Sequence, residues 1–453
     1  KYVRRNFMEF LNKFFHLKEK GTTVKTEIIA GTTTFLAMAY ILGVNPAILS
    51  ETGMPIESVF LATALASCLA CILMGLLANY PVGLSAGMGV NALFAYTICL
   101  GMGYSWQAAL AAVFISGLVF VLISVTGIRK MIIDAIPVQL KLAIGAGIGF
   151  FIAFVGLKNS ALIVASESTF VTIGNLADPA VLLSVFGILV TIVCVVRKVP
   201  AAVFVGLVIT AAAGLILGLC GIENMPTIGG IFTTSFDLST VGACFNGIGE
   251  LFAQPFSAFV IIFSFLFVDF FDTAGTLVAV GNEIGLVNEK GELEGAEQAL
   301  LADSLGTVAG AVLGTSTVTS FVESSAGVGV GGRTGLTAVT TGLLFGLAVF
   351  ISPLFLGLIT NAVTAPALVV VGVMMAQQMK GIEWDNIIYA ISAFITIISM
   401  ILTYSISDGI AFGFIAYAVS MCAAGKAKEV HPTVWALLVI FVFYFASPYL
   451  GVF

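Results

Sequence analysis

Long runs of apolar residues, each about the length of a membrane-spanning helix, make up most of this chain. A helix needs roughly 20 apolar residues to cross the hydrocarbon core of a bilayer, so the pattern predicts about 14 spans. Their expected positions are 26–49, 58–79, 80–101, 106–126, 138–157, 179–196, 201–221, 255–282, 299–313, 314–332, 336–358, 365–379, 386–404 and 406–424. A further apolar run, 432–452, either crosses the membrane or packs along its surface.

Two of these segments, 80–101 and 314–332, are too rich in glycine, serine and threonine to form ordinary helices. Each is predicted to be a short strand followed by a half-helix. They occupy the third position of two successive groups of seven spans, and seven is odd, so the two halves must be inverted relative to each other. The half-helix N-termini should then meet near the midplane, where free N–H groups suit a polar or anionic group. Because unpaired backbone is not tolerated in lipid, the two segments must pair or line a cavity.

Carboxylates lie within the apolar segments. The stretch FLFVDFFDTAGTLV contains Asp269 and Asp272, which are three residues apart and therefore on one helix face. An aspartate at the centre of a membrane helix costs roughly 2.5–3.5 kcal/mol on insertion scales. Glu323 lies in the second interrupted segment. Such residues need polar partners or a water-filled cavity, so we expect one binding site in the middle of the membrane.

Several polar residues have alternative roles. Glu323 either contacts a substrate or caps its own half-helix, and Asn91 is its counterpart in the first interrupted segment with the same alternative. Asp272 either binds a substrate or partners the Ser/Thr groups of 314–332. Asp303 is expected to tie neighbouring spans together, and Thr276, on the face of Asp272, could link to it.

Composition supports a membrane protein without catalytic chemistry. Charged residues are 9% and hydrophobic residues 59% of the chain, with a mean hydropathy of +1.13, whereas soluble domains are about 25% charged. The two histidines, His16 and His431, flank the apolar region. Because no histidine lies inside the apolar region, neither a metal site nor a nucleophile–base pair can be built there. We therefore expect no enzyme activity, no metal and no cofactor, and nothing indicates nucleic-acid binding.

The lysines and arginines set the expected orientation. With alternating spans, all 18 of them except Lys158 fall on the side of the N-terminus, which is predicted to be cytoplasmic because positive residues accumulate there. The basic, amphipathic segment 1–25 is expected to lie on that membrane surface. No cleavable signal peptide is visible, and whether residues 1–7 are native or Met8 is the start stays open.

Five stretches resemble the nucleobase–cation symporter family, and more closely its azaguanine-type branch of adenine/guanine/hypoxanthine permeases. They are AGTTTFLAMAYILGVNPAIL, GLSAGMGVNALFAY, FVDFFDTAGTLV, ADSLGT and TSFVESSAGVGVGGRTG. The resemblance implies an all-α polytopic membrane protein of about 14 transmembrane segments in a seven-plus-seven inverted repeat. It also implies a substrate-holding core domain (26–137 and 254–360), a gate domain that usually dimerises (138–253 and 361–453), and elevator-type transport.

The same resemblance assigns site residues. The carboxylates that hold the base correspond to Asp272 and Glu323, and Asp269 is a second acidic position of this branch. Backbone donors for the base correspond to Val322 and, in the first interrupted segment, to the region of Met88. These donors and carboxylates are expected to match the edge of a purine.

Two further positions bear on selectivity and coupling. Asn91 is the polar residue of the branch, and Thr276 stands where the uracil-type branch has a histidine, which argues against a uracil carrier. Thr276 and Asp303 are expected to support coupling or to lie behind the site. The group that carries the coupled proton stays open.

The expected function is proton-coupled import of adenine, guanine or hypoxanthine across the cell membrane. The proton is expected to bind Asp272 or Glu323. The protein is expected to be a homodimer that is joined through its gate domain and embedded in lipid. An anion transporter of the same fold is an alternative, although acids at the site would repel its substrate. A xanthine- or uracil-type carrier is another. The preferred purine, the choice between proton and sodium, and the oligomeric state stay open.

Overall fold

The chain folds as a bundle of apolar helices in the computed structural model, which describes residues 9, 11–126, 137–286, 293 and 295–446. Within that part of the chain, ten helices are long and apolar enough to cross a membrane. The main helices are α1 Val24–Met38, α2 Ile41–Ser50, α3 Ile56–Leu73, α4 Met88–Ala92, α5 Trp106–Thr126, α6 Val138–Asn159, α7 Pro179–Val196, α8 Ala202–Leu219, α9 Ala243–Asn246, α10 Ile248–Leu251, α11 Pro255–Glu283, α12 Ala296–Leu313, α13 Ser324–Gly329, α14 Gly335–Ala348, α15 Ser352–Leu358, α16 Asn361–Ala376, α17 Ile387–Leu402, α18 Ile406–Ala423 and α19 Pro432–Ala446. The prediction of a multi-pass helical membrane protein is confirmed.

Most helix bounds fall within a few residues of the predicted spans, with one break that the pattern did not indicate. The first span divides into α1 and α2 around Ala39 and Tyr40. Pro46 lies inside α2 and has no N–H to donate to the preceding turn. The apolar pattern continues through this break, which is why it looked like one helix. Short 3₁₀ helices extend the helix ends at Val349–Ile351, Gln377–Gly381 and Ala427–Glu429.

The two interrupted segments contain strands that pair with each other, as predicted. Strands β1 (Leu84–Ala86) and β4 (Val318–Ser320) are antiparallel, with Ser85 opposite Thr319. All six strand residues are buried. The ladder is extended by Gly87 N–H donating to the Thr317 carbonyl at 3.0 Å. The backbone groups that could not be left bare in a membrane are thus satisfied by the opposite segment.

Two π-helical stretches follow α-helices in the same half of the chain. Met74–Ala78 continues α3 and ends at Asn79, whose φ is +55°. Leu93–Gly101 continues α4 and forms the larger part of the first half-helix. The π form is rare and is found mostly at functional positions, so the first interrupted segment departs from regular geometry beyond its strand.

The helices pack in two groups. In one group α5 packs on α12, and α14 packs on α1 and α3. In the other, α6 packs on α16 and α17, and α16 also packs on α7. The division into a core domain and a gate domain, with their roles, stays a prediction.

A glycine pair allows two helix backbones of the second group to come close together. A Cβ on Gly149 of α6 would lie 2.6 Å from the Gly372 carbonyl oxygen of α16, and a Cβ on Gly372 would lie 2.5 Å from that of Gly149. Side chains at either position would push the helices apart. Small residues at helix crossings in membranes serve this close approach.

Two surface features were not predicted. A hairpin of strands β2 (Ile163–Ser166) and β3 (Phe170–Ile173) joins α6 to α7. In the N-terminal segment, Phe15 and Leu17 are buried against Val24 and Leu336, so this part of the segment packs on the protein. Residues 1–8 of that segment and 447–453 of the last apolar run lie outside the described residues.

Candidate substrate site

The site is built where the two interrupted segments cross. Strand β4 is followed by Phe321, Val322 and Glu323, and α13 begins at Ser324. Strand β1 is followed by α4, which begins at Met88. The paired strands place the starts of both half-helices on the same side of α11, which carries Asp269 and Asp272 in one apolar run.

Asp272 and Glu323 come together as predicted. They lie close enough to interact electrostatically, and the Thr319 side chain lies near Asp272. The Tyr40 hydroxyl donates to Glu323 Oε1 at 2.7 Å, and the field of Asp272 also reaches Tyr40. Two carboxylates and a phenol therefore converge from α11, the second interrupted segment and the break between α1 and α2.

Tyr40 is a site residue that the sequence analysis missed. Its ring is buried, with 1% exposure, and only its position beside Glu323 shows its role. The available signal was a lone tyrosine in the middle of an apolar run of the first span, which is equally common in ordinary packing.

The residues at the strand crossing are partly exposed. Val322 is 43% exposed, whereas the preceding Phe321 is 6% exposed. Asp272 and Glu323 are half-buried. This side of the crossing, which we call the opening, is therefore the candidate place for hydrogen bonds from an entering molecule.

Asn91 joins the two interrupted segments. Its side chain is fully buried and its Oδ1 accepts from the Ser316 hydroxyl, while its Nδ2 has no hydrogen-bond partner within the described structure. The prediction that Asn91 caps its own helix is not supported, because α4 has no side-chain cap. Met88, at the start of α4, is buried with 5% exposure.

A second polar cluster lies behind the crossing. Asn45 of α2 donates from Nδ2 to Thr63 at 2.6 Å and to Thr315 at 2.9 Å. Ser67 of α3 and Ser85 of β1 share a hydrogen bond of 2.7 Å. These contacts fix α2 and α3 to both interrupted segments, so the strands are held from behind.

Asp269 and Asp303 form a brace between α11, α12 and β4. Thr273 of α11 donates to Asp303 Oδ1 at 2.9 Å, and Thr307 of α12 donates to Asp269 Oδ2 at 3.1 Å. Ser320 of β4 donates to Asp303 from its hydroxyl at 3.3 Å. Asp303 therefore ties the spans together as expected.

The prediction that Thr276 links to Asp303 was wrong. The bond comes from Thr273 rather than Thr276, since Thr273 is four residues from Asp269 and shares the face that packs on α12. Asp269 is 1% exposed and bonded within the brace, so it supports the strand and does not face the opening. One oxygen of each carboxylate, Asp269 Oδ1 and Asp303 Oδ2, is buried without a hydrogen-bond partner among the described residues.

The described part of the chain contains no group of three His, Cys, Asp or Glu residues placed to hold a metal ion. The site offers hydrogen-bond acceptors at an opening, inside a many-helix membrane protein. This combination is typical of a membrane transport protein.

The chain belongs to the nucleobase–cation symporter family, since the family model described as the permease family, Xan_ur_permease, matches residues 25–443. This confirms the resemblance seen in the sequence. The guanine/hypoxanthine permease PbuG of Bacillus subtilis is 51% identical over 96% of this chain and 99% of its own length. The adenine permease AdeP of Escherichia coli is 41% identical over 95% of each chain. Both relatives are permeases, and the chain is a permease rather than an enzyme.

Solved structures show the fold. The transmembrane domain of a cyanobacterial bicarbonate transporter, BicA, superposes with a TM-score of 0.59 at 14% identity, covering 87% of this chain and 97% of that domain. At this identity the likeness concerns the architecture alone.

Proposed function

We propose that this protein imports purine nucleobases by proton symport. The observation that carries the proposal is the convergence of Asp272 and Glu323 at the open side of the strand crossing. The names of its relatives, guanine/hypoxanthine and adenine permeases, support the same substrate class.

The chemistry of a purine fits these groups. A purine is flat, with N–H donors beside ring acceptors. Asp272 and Glu323 accept the N–H groups, with Glu323 oriented by Tyr40, and the backbone N–H groups of Val322 and Met88 serve the ring acceptors. A molecule lacking the matching donors leaves buried acceptors unpaired, so such a site discriminates strongly.

Proton coupling is proposed for Asp272 or Glu323. Within the described residues, no lysine or arginine side chain bonds to either carboxylate, and the field of each acts on the other. Two adjacent negative charges in a membrane are costly. Binding one proton together with the purine removes part of this cost, and release of both on the cytoplasmic side completes a symport step.

The proposed architecture has 14 spans. To the ten long helices it adds the two interrupted segments together with α12 and α17. The group that contains α5, α12 and α14 is the core that carries the substrate, and it moves past the gate group as an elevator. The N-terminus is cytoplasmic, the protein lies in the cell membrane, and the gate group forms a homodimer.

The first test is uptake of labelled guanine, hypoxanthine and adenine by cells that express Asp272→Ala or Glu323→Ala. Each substitution should reduce uptake by at least about 100-fold, since a site that recognises a hydrogen-bonding edge depends on every partner. Glu57→Ala, on the exposed surface, is the control and should transport normally. Uptake that survives both site substitutions contradicts the proposed site.

The second part of the test addresses substrate and coupling. Adenine, guanine and hypoxanthine should compete for uptake more strongly than xanthine or uracil, and a protonophore should abolish accumulation. Accumulation that resists the protonophore contradicts proton symport while leaving purine recognition intact. Thermal stabilisation by sulfate or bicarbonate, and not by purines, would favour an anion transporter.

A further inference from the structure

Five residues from four separate parts of the chain form a cluster at the end of the bundle that carries Lys158. Glu51 follows α2, Tyr96 lies in the π-helical stretch, Lys158 and Asn159 end α6, and Tyr404 joins α17 to α18. We call this cluster the outer clamp. Its residues come from both helix groups, with Glu51 and Tyr96 in one and the other three in the second.

Three residues of the outer clamp, Asn159, Glu51 and Tyr96, are hydrogen-bonded to one another. Asn159 Nδ2 donates to Glu51 Oε1 at 2.7 Å and to the Tyr96 hydroxyl oxygen at 2.7 Å. The Tyr96 hydroxyl in turn donates to Glu51 Oε1 at 2.9 Å. One amide therefore bridges a carboxylate and a phenol of the opposite group, and hydrogen bonds to a charged group are the stronger kind.

Aromatic contacts complete the outer clamp. Lys158 Nζ lies 5.6 Å from the ring centre of Tyr96 and 5.1 Å from that of Tyr404. The two rings meet edge to face at 5.5 Å. Both distances of the ammonium group fall within the range of cation–π attraction, so Lys158 is held between the two groups.

Two buried links below the outer clamp join the same groups. The Ser407 hydroxyl of α18 donates to that of Ser264 in α11 at 3.0 Å, and Ile406 N–H donates to Thr97 Oγ1 at 3.4 Å. On α18 both links lie in the first turn of the helix. The contact between the groups therefore includes specific polar links beside the outer clamp.

Tyr404 holds backbone strain at this contact. Its φ is +54°, a left-handed conformation that bulky residues rarely adopt, and its buried hydroxyl has no hydrogen-bond partner in the described structure. Strain of this kind persists only when its surroundings enforce it and is common where a segment switches between two states. Here the enforcing surroundings are the rings of Tyr96 and Phe151, the latter at 5.2 Å.

We propose that the outer clamp is the external closure of this permease: it locks the two helix groups together at the extracellular face, and its rupture precedes entry of substrate from outside. The inference rests on the proposed movement of core against gate. If the groups slide past each other, the bonds of Asn159 to Glu51 and Tyr96 cannot survive, because each joins one group to the other.

The test is a reversible cross-link across the outer clamp. Glu51→Cys with Asn159→Cys, in protein whose exposed Cys220 and Cys422 are changed to serine, should react with a short thiosulfonate cross-linker. Cross-linking should reduce purine uptake at least about tenfold, and reduction should restore it. The control pair, Val164→Cys with Thr172→Cys, joins opposed residues of one hairpin and should leave uptake unchanged on cross-linking.

Two outcomes overturn the proposal: failure of the Glu51–Asn159 pair to cross-link, or normal uptake by the cross-linked protein. Absence of purine uptake before cross-linking counts instead against the proposed function. The outer clamp can then be tested without transport, by measuring amide hydrogen exchange in the Asn159→Ala variant. In this variant the backbone amides of Leu93–Gly101 should exchange at least about threefold faster than in the unsubstituted protein. Asn175→Ala, whose side chain bonds only within its own loop, should not change, and unchanged exchange in Asn159→Ala also overturns the proposal.

Discussion

At the scale of single residues, chemistry at the centre of this protein depends on how each carboxylate is held. Glu323 is oriented by a phenol, Asp272 lies beside Glu323 and Thr319, and both carboxylates are half-buried. Asp269, only three residues from Asp272, is enclosed in a brace. Two neighbouring acidic residues of one helix thus have different surroundings. We therefore assign them different roles: Asp272 recognises the substrate and Asp269 supports the strand.

Removing the phenol hydroxyl tests the orientation of Glu323. Tyr40→Phe deletes one hydrogen bond to a carboxylate, worth about 1.5–3 kcal/mol, so purine affinity should fall by about ten- to a hundredfold. The measurement is the KM of uptake together with purine binding to purified protein. Tyr104→Phe, which loses a hydrogen bond to exposed Gln254, serves as the matched control, and equal behaviour of the two variants would refute this role of Tyr40.

At the scale of elements, the site depends on two paired strands of three residues each, in a place where a continuous helix would not serve. They bring backbone from opposite directions to one point and still pair their polar groups. Hydroxyl groups of α11 and α12 then bond to β4 itself, with Val318 N–H donating to Thr307 Oγ1 at 3.2 Å and Ser320 N–H donating to Thr273 Oγ1 at 3.3 Å. The strand pair is therefore an anchored element rather than a flexible one.

The anchoring predicts a loss of stability. Thr273→Val removes a donor to Asp303 and an acceptor for Ser320 N–H, and each buried group left unpaired costs about 1–3 kcal/mol. The thermal midpoint of the purified protein should fall clearly. Thr126→Val, which loses its bonds to the Leu122 and Ile123 carbonyls within its own exposed helix end, should have a small effect. An unchanged midpoint in Thr273→Val would show that the brace does not stabilise the fold.

At the scale of the whole molecule, two helix groups meet along one boundary, with the candidate substrate site in the first group and the outer clamp near one end. In this conformation, partial burial raises the pKa of the Glu51 carboxyl, while the bonds from Tyr96 and Asn159 and the charge of Lys158 oppose the shift. When the outer clamp opens, Glu51 becomes solvated and its pKa returns to the ordinary range. The closed state then binds the proton more tightly, so acid should favour closure.

The pH dependence of closure can be measured as a change in the distance between two labels on either side of the outer clamp. Spin labels at Thr52 and Val164 report on the two sides of the outer clamp. As the pH is lowered from neutral towards the raised pKa of Glu51, the fraction of the shorter distance should grow. Glu51→Gln lacks the titrating group and should show a flat profile. Growth of the longer distance with acid would contradict the assigned sign.

The sequence alone determined the class of protein, most helix bounds and the two interrupted segments, because hydrophobic length and glycine content act locally along the chain. It also indicated Asp272 and Glu323, since charges in apolar segments stand out wherever they are placed. Only the tertiary structure decided that Tyr40 bonds to Glu323, 283 residues away, that Thr273 rather than Thr276 holds Asp303, and that Glu51 meets Asn159. Such partners depend on which helix faces pack together, and no periodicity within one helix records its neighbours.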